Sequence, residues 1–239
     1  MQLNKKIEAN TMGLNKSNGN MYGFVTHTWN PLAGECPNKC SYCSTNKLKK
    51  RYPLLREKYS GPLRLELPLE NLGSGKYIFV VAQNDLFASN NGDYIELYER
   101  LITVFMHLAK YPGNKYLIQS KCIDSMRAIF GMNNGLLTDN IVLCTTFETM
   151  NHAKLHDAWT FSKIKHPHKH VTIEPIMAFD LLGFMKAMEM INPEQINIGA
   201  DSGNNNLPEP TSEEVHALIK ALIDKGYNVF IKDNLKRLL

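Results

Sequence analysis

The sequence contains no apolar run long enough to cross a bilayer, so we expect no transmembrane segment. Residues 1–20 also lack the apolar core of a signal peptide. We therefore expect a polar N-terminal lead-in over residues 1–20 and a cytoplasmic protein.

The excess of one sign of charge is small as well, because the chain has 27 Lys and Arg and 23 Asp and Glu, for a net charge of +4. This mild excess is compatible with an anionic partner but does not identify one. A hydrophobic content of 44% is that of a globular protein with a core. Since no linker or repeat divides the chain, we predict one domain over residues 21–239.

Cysteine is scarce and unevenly placed. Three of the five cysteines fall within eight residues, as Cys36, Cys40 and Cys43 of "CPNKCSYC". An odd count argues against a pure disulfide framework, and clustered cysteines in a reducing compartment are more often metal ligands or redox groups. The sequence thus points to a metal or redox centre on this loop.

Seven apolar, β-branched or aromatic runs predict strands, over residues 22–29, 76–83, 114–121, 140–148, 170–176, 195–201 and 227–233. Between them, segments with apolar residues at three- and four-residue spacing predict helices. Alternating strands and helices are typical of an α/β fold with a parallel sheet.

Polar residues end almost every predicted strand, which favours a full or partial (β/α) TIM-like barrel of six to seven parallel strands. The carboxyl ends of the strands form one functional rim in a barrel, whereas an open sheet concentrates polar groups at one switch point. These polar residues are His27, residues 83–85, residues 119–121, Glu148, Glu174, Asp201, Ser202, Lys232 and Asp233.

Three thiolates leave two kinds of metal site open. Zinc would need a fourth ligand, whereas a [4Fe–4S] cluster held by three cysteines keeps one iron free for a small molecule. Cysteines that only cluster, without a metal, are the third possibility. The candidates for a fourth zinc ligand are His27, Cys122, His166, His168 and His170.

The C-x3-C-x2-C spacing, with Tyr42 before the last cysteine and a strand before the loop, resembles the motif of the radical S-adenosylmethionine (SAM) enzymes. The resemblance implies that Cys36, Cys40 and Cys43 hold a [4Fe–4S] cluster whose open iron binds SAM. One electron then cleaves SAM to methionine and a 5′-deoxyadenosyl radical, which abstracts hydrogen from a substrate.

A closer resemblance covers most of the chain, through "TWNPLAGECPNKCSYC", "IFVVAQNDLF", "VTIEPIM", "INIGADSG" and "VFIKD". These segments are similar to the landmarks of a phage- and prophage-associated group of radical SAM-like proteins of unknown function. The chain departs from that group at Leu32, Ala200 and Asp201, where the group has Trp, Gly and Glu. Asp201 keeps a carboxylate with a shorter reach.

The resemblance also implies roles for other residues. Tyr42 would pack near the adenine of SAM, and Asn84 and Asp85 would contact its methionine group. Glu174 would bind the ribose hydroxyls, a role for which Glu148 competes, and Asp201 would lie nearer the substrate.

Residues outside these motifs have simpler predicted roles. Lys121 and Lys232 could each meet a carboxylate or a phosphate at the strand ends, although a solvated rim charge is the favoured interpretation. We expect Cys144 and Trp159 to pack in the core. Cys122, near the rim, is a weaker candidate for a ligand or hydrogen donor.

The resemblance implies an enzyme that takes electrons from a flavodoxin- or ferredoxin-type donor. Its favoured substrate class is a nucleotide or a base in phage DNA, for DNA modification. The alternatives are a radical SAM enzyme acting on a small amino-acid-like metabolite or peptide, and a zinc-containing module that binds nucleic acid or protein.

Overall fold

The computed structural model describes residues 13–17, 21–90, 92–132, 134–151 and 154–239. The chain divides between Cys122 and Ile123 into two compact units. Compactness alone does not show that a unit folds by itself, so the single domain predicted over residues 21–239 stays a prediction.

The first unit contains a mixed sheet of four strands in the order β1-β2-β5-β6. Strands β2, β5 and β6 run parallel, and β1 pairs antiparallel with β2. Strands β3 and β4 form a separate antiparallel pair. The six strands are β1 (Gly13–Lys16), β2 (His27–Asn30), β3 (Leu32–Ala33), β4 (Arg64–Leu65), β5 (Tyr77–Val80) and β6 (Lys115–Ser120).

Strand β1 belongs to the segment predicted as a polar lead-in over residues 1–20. It pairs along its whole length, from Gly13 opposite Asn30 to Lys16 opposite His27. Residues 1–12 and 18–20 of the predicted lead-in lie outside the described residues.

The described residues of the first unit form three helices, α1 (Ser44–Arg51), α2 (Pro53–Lys58) and α3 (Tyr94–Ala109). Helix α1 begins directly after Cys43, which is its N-cap residue. The third cysteine therefore lies at a helix start.

Helix α3 is capped by Asp93, whose side chain accepts hydrogen bonds from the backbone N–H groups of Ile95 and Glu96.

The second unit repeats strand and helix, and its four strands are parallel in the order β7-β8-β9-β10. Helix α7 opens with a capping box formed by Thr211 and Glu214. Its elements are α4 (Ile123–Met132), β7 (Ile141–Thr146), α5 (Lys154–Ser162), β8 (Lys169–Ile173), α6 (Leu181–Ile191), β9 (Gln195–Ile198), α7 (Ser212–Asp224) and β10 (Val229–Ile231), with 3₁₀ turns at Asn134–Leu136 and Asp233–Leu238.

The predicted α/β class with mostly parallel strands is confirmed. Each of the seven predicted runs overlaps a strand that is shorter than the run, although β2 ends one residue after its run and β8 begins one residue before its run. Every residue of β7 and β8 is buried, which explains the apolar run that begins β7. Within each unit the described strands pair in a linear order, so a closed barrel is not shown.

The core contains Cys144, as predicted, but not Trp159. Cys144 is fully buried in β7. The prediction for Trp159 is wrong, because its side chain is 40% exposed. On helix α5, Ala158 and Phe161 take the core-facing positions instead.

None of the helices in the described residues is both long and apolar enough to span a membrane.

Candidate functional site

The cysteine loop joins β3 to α1 and places three half-buried thiols on one short segment. The backbone N–H of Lys39 donates to the carbonyl of Cys36 at 3.3 Å, and that of Cys43 donates to the carbonyl of Cys40 at 3.1 Å. Lys39 has a φ of 45°, in the left-handed region, which turns the chain back between the first two cysteines. Backbone hydrogen bonds within the loop therefore stabilise its conformation.

Asp85 connects this loop to the ends of two parallel strands. It follows β5, is buried, and accepts hydrogen bonds from Asn38 Nδ2 at 2.8 Å and from the Ser120 hydroxyl at 2.7 Å. The backbone N–H groups of Lys121 and Phe87 donate to it at 2.9 and 3.0 Å. The carboxylate therefore fixes the cysteine loop against β5 and β6, and the SAM contact predicted for it stays a prediction.

Replacing Asp85 with Ala is expected to lower the free energy of unfolding by about 3 kcal/mol or more. Each buried donor left without an acceptor costs about 1–3 kcal/mol, and the losses do not add in full. Urea denaturation measures the change.

Asp224→Ala is the matched control, because Asp224 is exposed and pairs with Lys220 one helical turn away. Such a pair contributes about 0.5 kcal/mol or less. Equal losses of stability in the two variants would contradict the role given to Asp85.

Two thiols of the first unit, those of Cys36 and Cys122, are in a setting that favours their protonated form. Burial raises the pKa of Cys36 to about 11, and the nearby Asp85 carboxylate adds to the effect. Burial also raises the pKa of Cys122 above its ordinary value, again helped by Asp85. The Cys122 thiol donates to Asn38 Oδ1 at 3.2 Å. Metal binding at Cys36 must therefore release a proton.

Tyr42 lies half-buried between the second and third cysteines of the loop. Lys121 Nζ donates to its hydroxyl at 2.6 Å and lies 5.1 Å from the centre of its ring. Lys121, predicted as a rim charge, thus holds the aromatic side chain that the motif places beside the cysteines.

Asn84 offers an unused acceptor next to the loop. Its Nδ2 donates to the Gly34 carbonyl at 3.4 Å, whereas its Oδ1 is buried and has no hydrogen-bond partner in the structure. A buried polar atom without a partner costs free energy that a ligand can recover. The Asn84 oxygen therefore fits a ligand that donates a hydrogen bond, such as an ammonium group.

The structure does not gather the thiols of the loop into a metal site. Among the described residues, no group of three or more His, Cys, Asp or Glu side chains could hold a metal ion. Zinc needs its thiolates within about 2.3 Å of a common point, and a [4Fe–4S] cluster needs three thiolates around one cubane, one on each of three irons. Both kinds of metal site that the sequence leaves open therefore stay predictions.

In the second unit, Glu174 forms a buried polar cluster after β8. It accepts hydrogen bonds from Lys232 Nζ at 2.6 Å and from Asn234 Nδ2 at 3.0 Å. The side chain of Lys232 is only 6% exposed, so Lys232 is not the solvated rim charge that the sequence suggested. Glu174 and Lys232 neutralise each other at the ends of β8 and β10.

Gly199, after β9, leaves the space that the Glu174 side chain occupies. A Cβ at this position would lie 2.7 Å from Glu174 Oε1 and 3.0 Å from Asn234 Oδ1. The Oδ1 atom of Asn234 is buried and has no hydrogen-bond partner in the structure. The second unit therefore also has an acceptor available to a ligand.

Asp201 stabilises the turn that follows β9. Its carboxylate accepts hydrogen bonds from the backbone N–H of Gly203 at 2.8 Å and from the backbone and side chain of Asn205. Its carbonyl accepts from Arg237 Nη2 at 3.2 Å. The substrate contact predicted for Asp201 stays a prediction.

Glu148 is half-buried and follows β7, the strand next to β8. Its carbonyl accepts from the Met177 backbone N–H at 2.7 Å. Because β7 and β8 are parallel, Glu148 and Glu174 follow the same edge of the sheet. Which of them would meet a ribose stays open.

Sequence reasoning missed two polar residues of these clusters, Asn38 and Asn234. Asn38 had a usable signal, since it lies inside the cysteine motif. Asn234 had none, because its partners are distant in sequence. Ser120 lies within residues 119–121, which the sequence places at a strand end without giving Ser120 a role of its own.

Comparison with known proteins gives one family and one distant fold. No curated protein matches the chain. Among solved structures, the crystal structure of Streptococcus suis SuiB bound to precursor peptide SuiA matches with a TM-score of 0.47 and 8% identity. The match covers 85% of this chain and 48% of that one, and at this score it carries no argument about function. The profile of the family described as protein of unknown function, DUF5131, matches residues 21–215, so the chain belongs to this family.

Proposed function

We propose that the protein is a radical SAM enzyme, with Cys36, Cys40 and Cys43 as the ligands of a [4Fe–4S] cluster. The observation that carries the proposal is the cysteine loop itself: three half-buried thiols after the first parallel strand. Such a loop offers one thiolate to each of three irons.

The loop is also anchored as a ligand loop should be. Ligands of a metal centre are held by further hydrogen bonds that fix their orientation. Here Asn38, between the first two cysteines, donates to buried Asp85, which in turn binds Ser120 at the end of β6. This support comes from the side chains of the fold itself.

A [4Fe–4S] cluster with one open iron supplies the electron that cleaves SAM and generates a 5′-deoxyadenosyl radical. The residues of the chain would bind and orient. We assign Asn84 Oδ1 to the ammonium group of SAM, because it is a buried acceptor without a partner. We assign Tyr42 to the adenine, since Lys121 holds it beside the cysteines.

Glu174 is our choice for the ribose hydroxyls, with Glu148 as the competing residue, and Asp201 for the substrate. The proposal includes the full or partial barrel of six to seven parallel strands predicted from the sequence, because polar ligands bind at the carboxyl ends of such strands. Its substrate class, a nucleotide or a base in DNA, comes from the resemblance to phage-associated proteins. An electron donor of the flavodoxin or ferredoxin type is part of the same proposal.

Release of 5′-deoxyadenosine from SAM by the reduced, iron-loaded protein tests the proposal. A colourless protein that instead carries stoichiometric zinc would argue against it and for a structural metal site.

A further inference from the structure

The exposed Trp159 lies at the junction of two cavities of the second unit. One has a volume of about 360 Å³ and the other of about 810 Å³, and Trp159 lines both. A large aromatic side chain on a surface is often part of a binding site. We call the two cavities together the Trp159 groove.

Cations surround this tryptophan. The Arg127 guanidinium lies 5.0 Å and Lys163 Nζ lies 5.3 Å from the centre of a Trp159 ring. The His156 ring stacks on Trp159, with centroids 5.8 Å apart and an angle of 25° between the planes. The tryptophan is thus the centre of an aromatic and basic surface.

The charge of the groove is uncompensated. The smaller cavity is lined by Arg127, Lys163 and Lys165 and by no carboxylate. None of these three forms an ion pair within the part of the chain that the structure describes. In the larger cavity, the carboxylate of Glu189 is already paired with Lys225 at 2.9 Å. The groove therefore complements an anion.

We propose that the Trp159 groove binds a single strand of nucleic acid. Proteins hold single strands by stacking bases on aromatic side chains while cations contact the phosphates. Arginine guanidinium planes also accept a stacked base, so Arg127 extends the platform. Two cavities that meet at one tryptophan have room for more than one nucleotide. The inference goes beyond the proposed chemistry and holds whether or not the protein carries a cluster.

Fluorescence anisotropy of a labelled oligothymidine of about 15 nucleotides tests the groove, because single-strand sites span about 4–16 nucleotides. Iron-free protein is used, so that failure here and failure of the radical chemistry are distinguishable. We expect binding that weakens steeply between about 50 and about 200 mM salt. Trp159→Ala should weaken it about tenfold or more, and Trp159→Phe should keep it within a few fold.

Lys163→Ala should weaken binding and reduce its salt dependence, since it removes one phosphate contact, and Arg127→Ala should weaken binding because it removes part of the stacking platform. Lys220→Ala is the control, because Lys220 is an exposed lysine of α7 paired with Asp224, and its binding should equal that of the unmodified protein. The proposal would be overturned by a lack of binding, or by binding that Trp159→Ala leaves unchanged. It would also be overturned if thymidine monophosphate or polyglutamate displaced the labelled strand as well as unlabelled oligothymidine does.

Discussion

Alanine in place of Cys36, Cys40 or Cys43 is expected to abolish stable iron loading. In the proposed cluster each thiolate would be the only protein ligand of one iron, so losing one would leave two irons without a protein ligand. Iron and sulfide are measured after anaerobic reconstitution, beside the circular dichroism spectrum that reports folding.

Two other cysteines provide the controls. Cys122→Ala should keep the iron, although Cys122 is half-buried and bonds to Asn38 of the same loop. Cys144→Ala should also keep it, because Cys144 is buried in β7 and bonds to Thr172. Full iron and sulfide in Cys40→Ala protein would remove the basis of the cluster assignment.

Glu174→Ala is expected to weaken SAM binding about tenfold to a hundredfold while the cluster stays loaded. A hydrogen bond to a charged group is worth about 1.5–3 kcal/mol, which corresponds to that range. The loss is measured by titrating SAM into iron-loaded protein under anaerobic conditions.

The same substitution has a second effect that must be separated from the first. It removes the carboxylate that pairs with the buried Lys232, and breaking a buried ion pair in this way costs about 3–5 kcal/mol of stability. The double variant Glu174→Ala/Lys232→Met removes both charges and should recover much of the stability. Its SAM binding should stay weak, because the carboxylate is still missing.

Gly199→Ala tests the polar cluster around Glu174 without removing a charge. The added methyl group would press on Glu174 Oε1, so SAM binding should fall here too. Gly131→Ala is the matched control, since a Cβ there would meet nothing within 4 Å.

If the double variant Glu174→Ala/Lys232→Met bound SAM as tightly as the unmodified protein, Glu174 would have no role in binding SAM.

The sequence predicted the strands well because the strands of this fold are buried. Continuous apolar runs such as "IVLCTT" of β7 leave little ambiguity in a parallel sheet. Strand β1 was missed for the opposite reason, because "GLNK" is mostly polar and lies at a sheet edge.

Polar roles were harder to predict than strands, since they depend on contacts between residues far apart in the chain. Lys232 looks like a rim charge in the sequence, but its partner Glu174 is 58 residues away. Asp85 was predicted to contact SAM, which stays a prediction, and its four observed donors come from three separate segments. Trp159 was misplaced because Ala158 and Phe161 of the same short helix take the core-facing positions.

The central claim is tested most directly by release of 5′-deoxyadenosine from SAM. Anaerobic protein loaded with iron and sulfide is reduced with dithionite, incubated with SAM and analysed by chromatography. We predict slow release without substrate, faster release with it, and none from Cys40→Ala protein. A fully loaded cluster that neither binds SAM nor yields this nucleoside would contradict the radical assignment and favour a structural metal site.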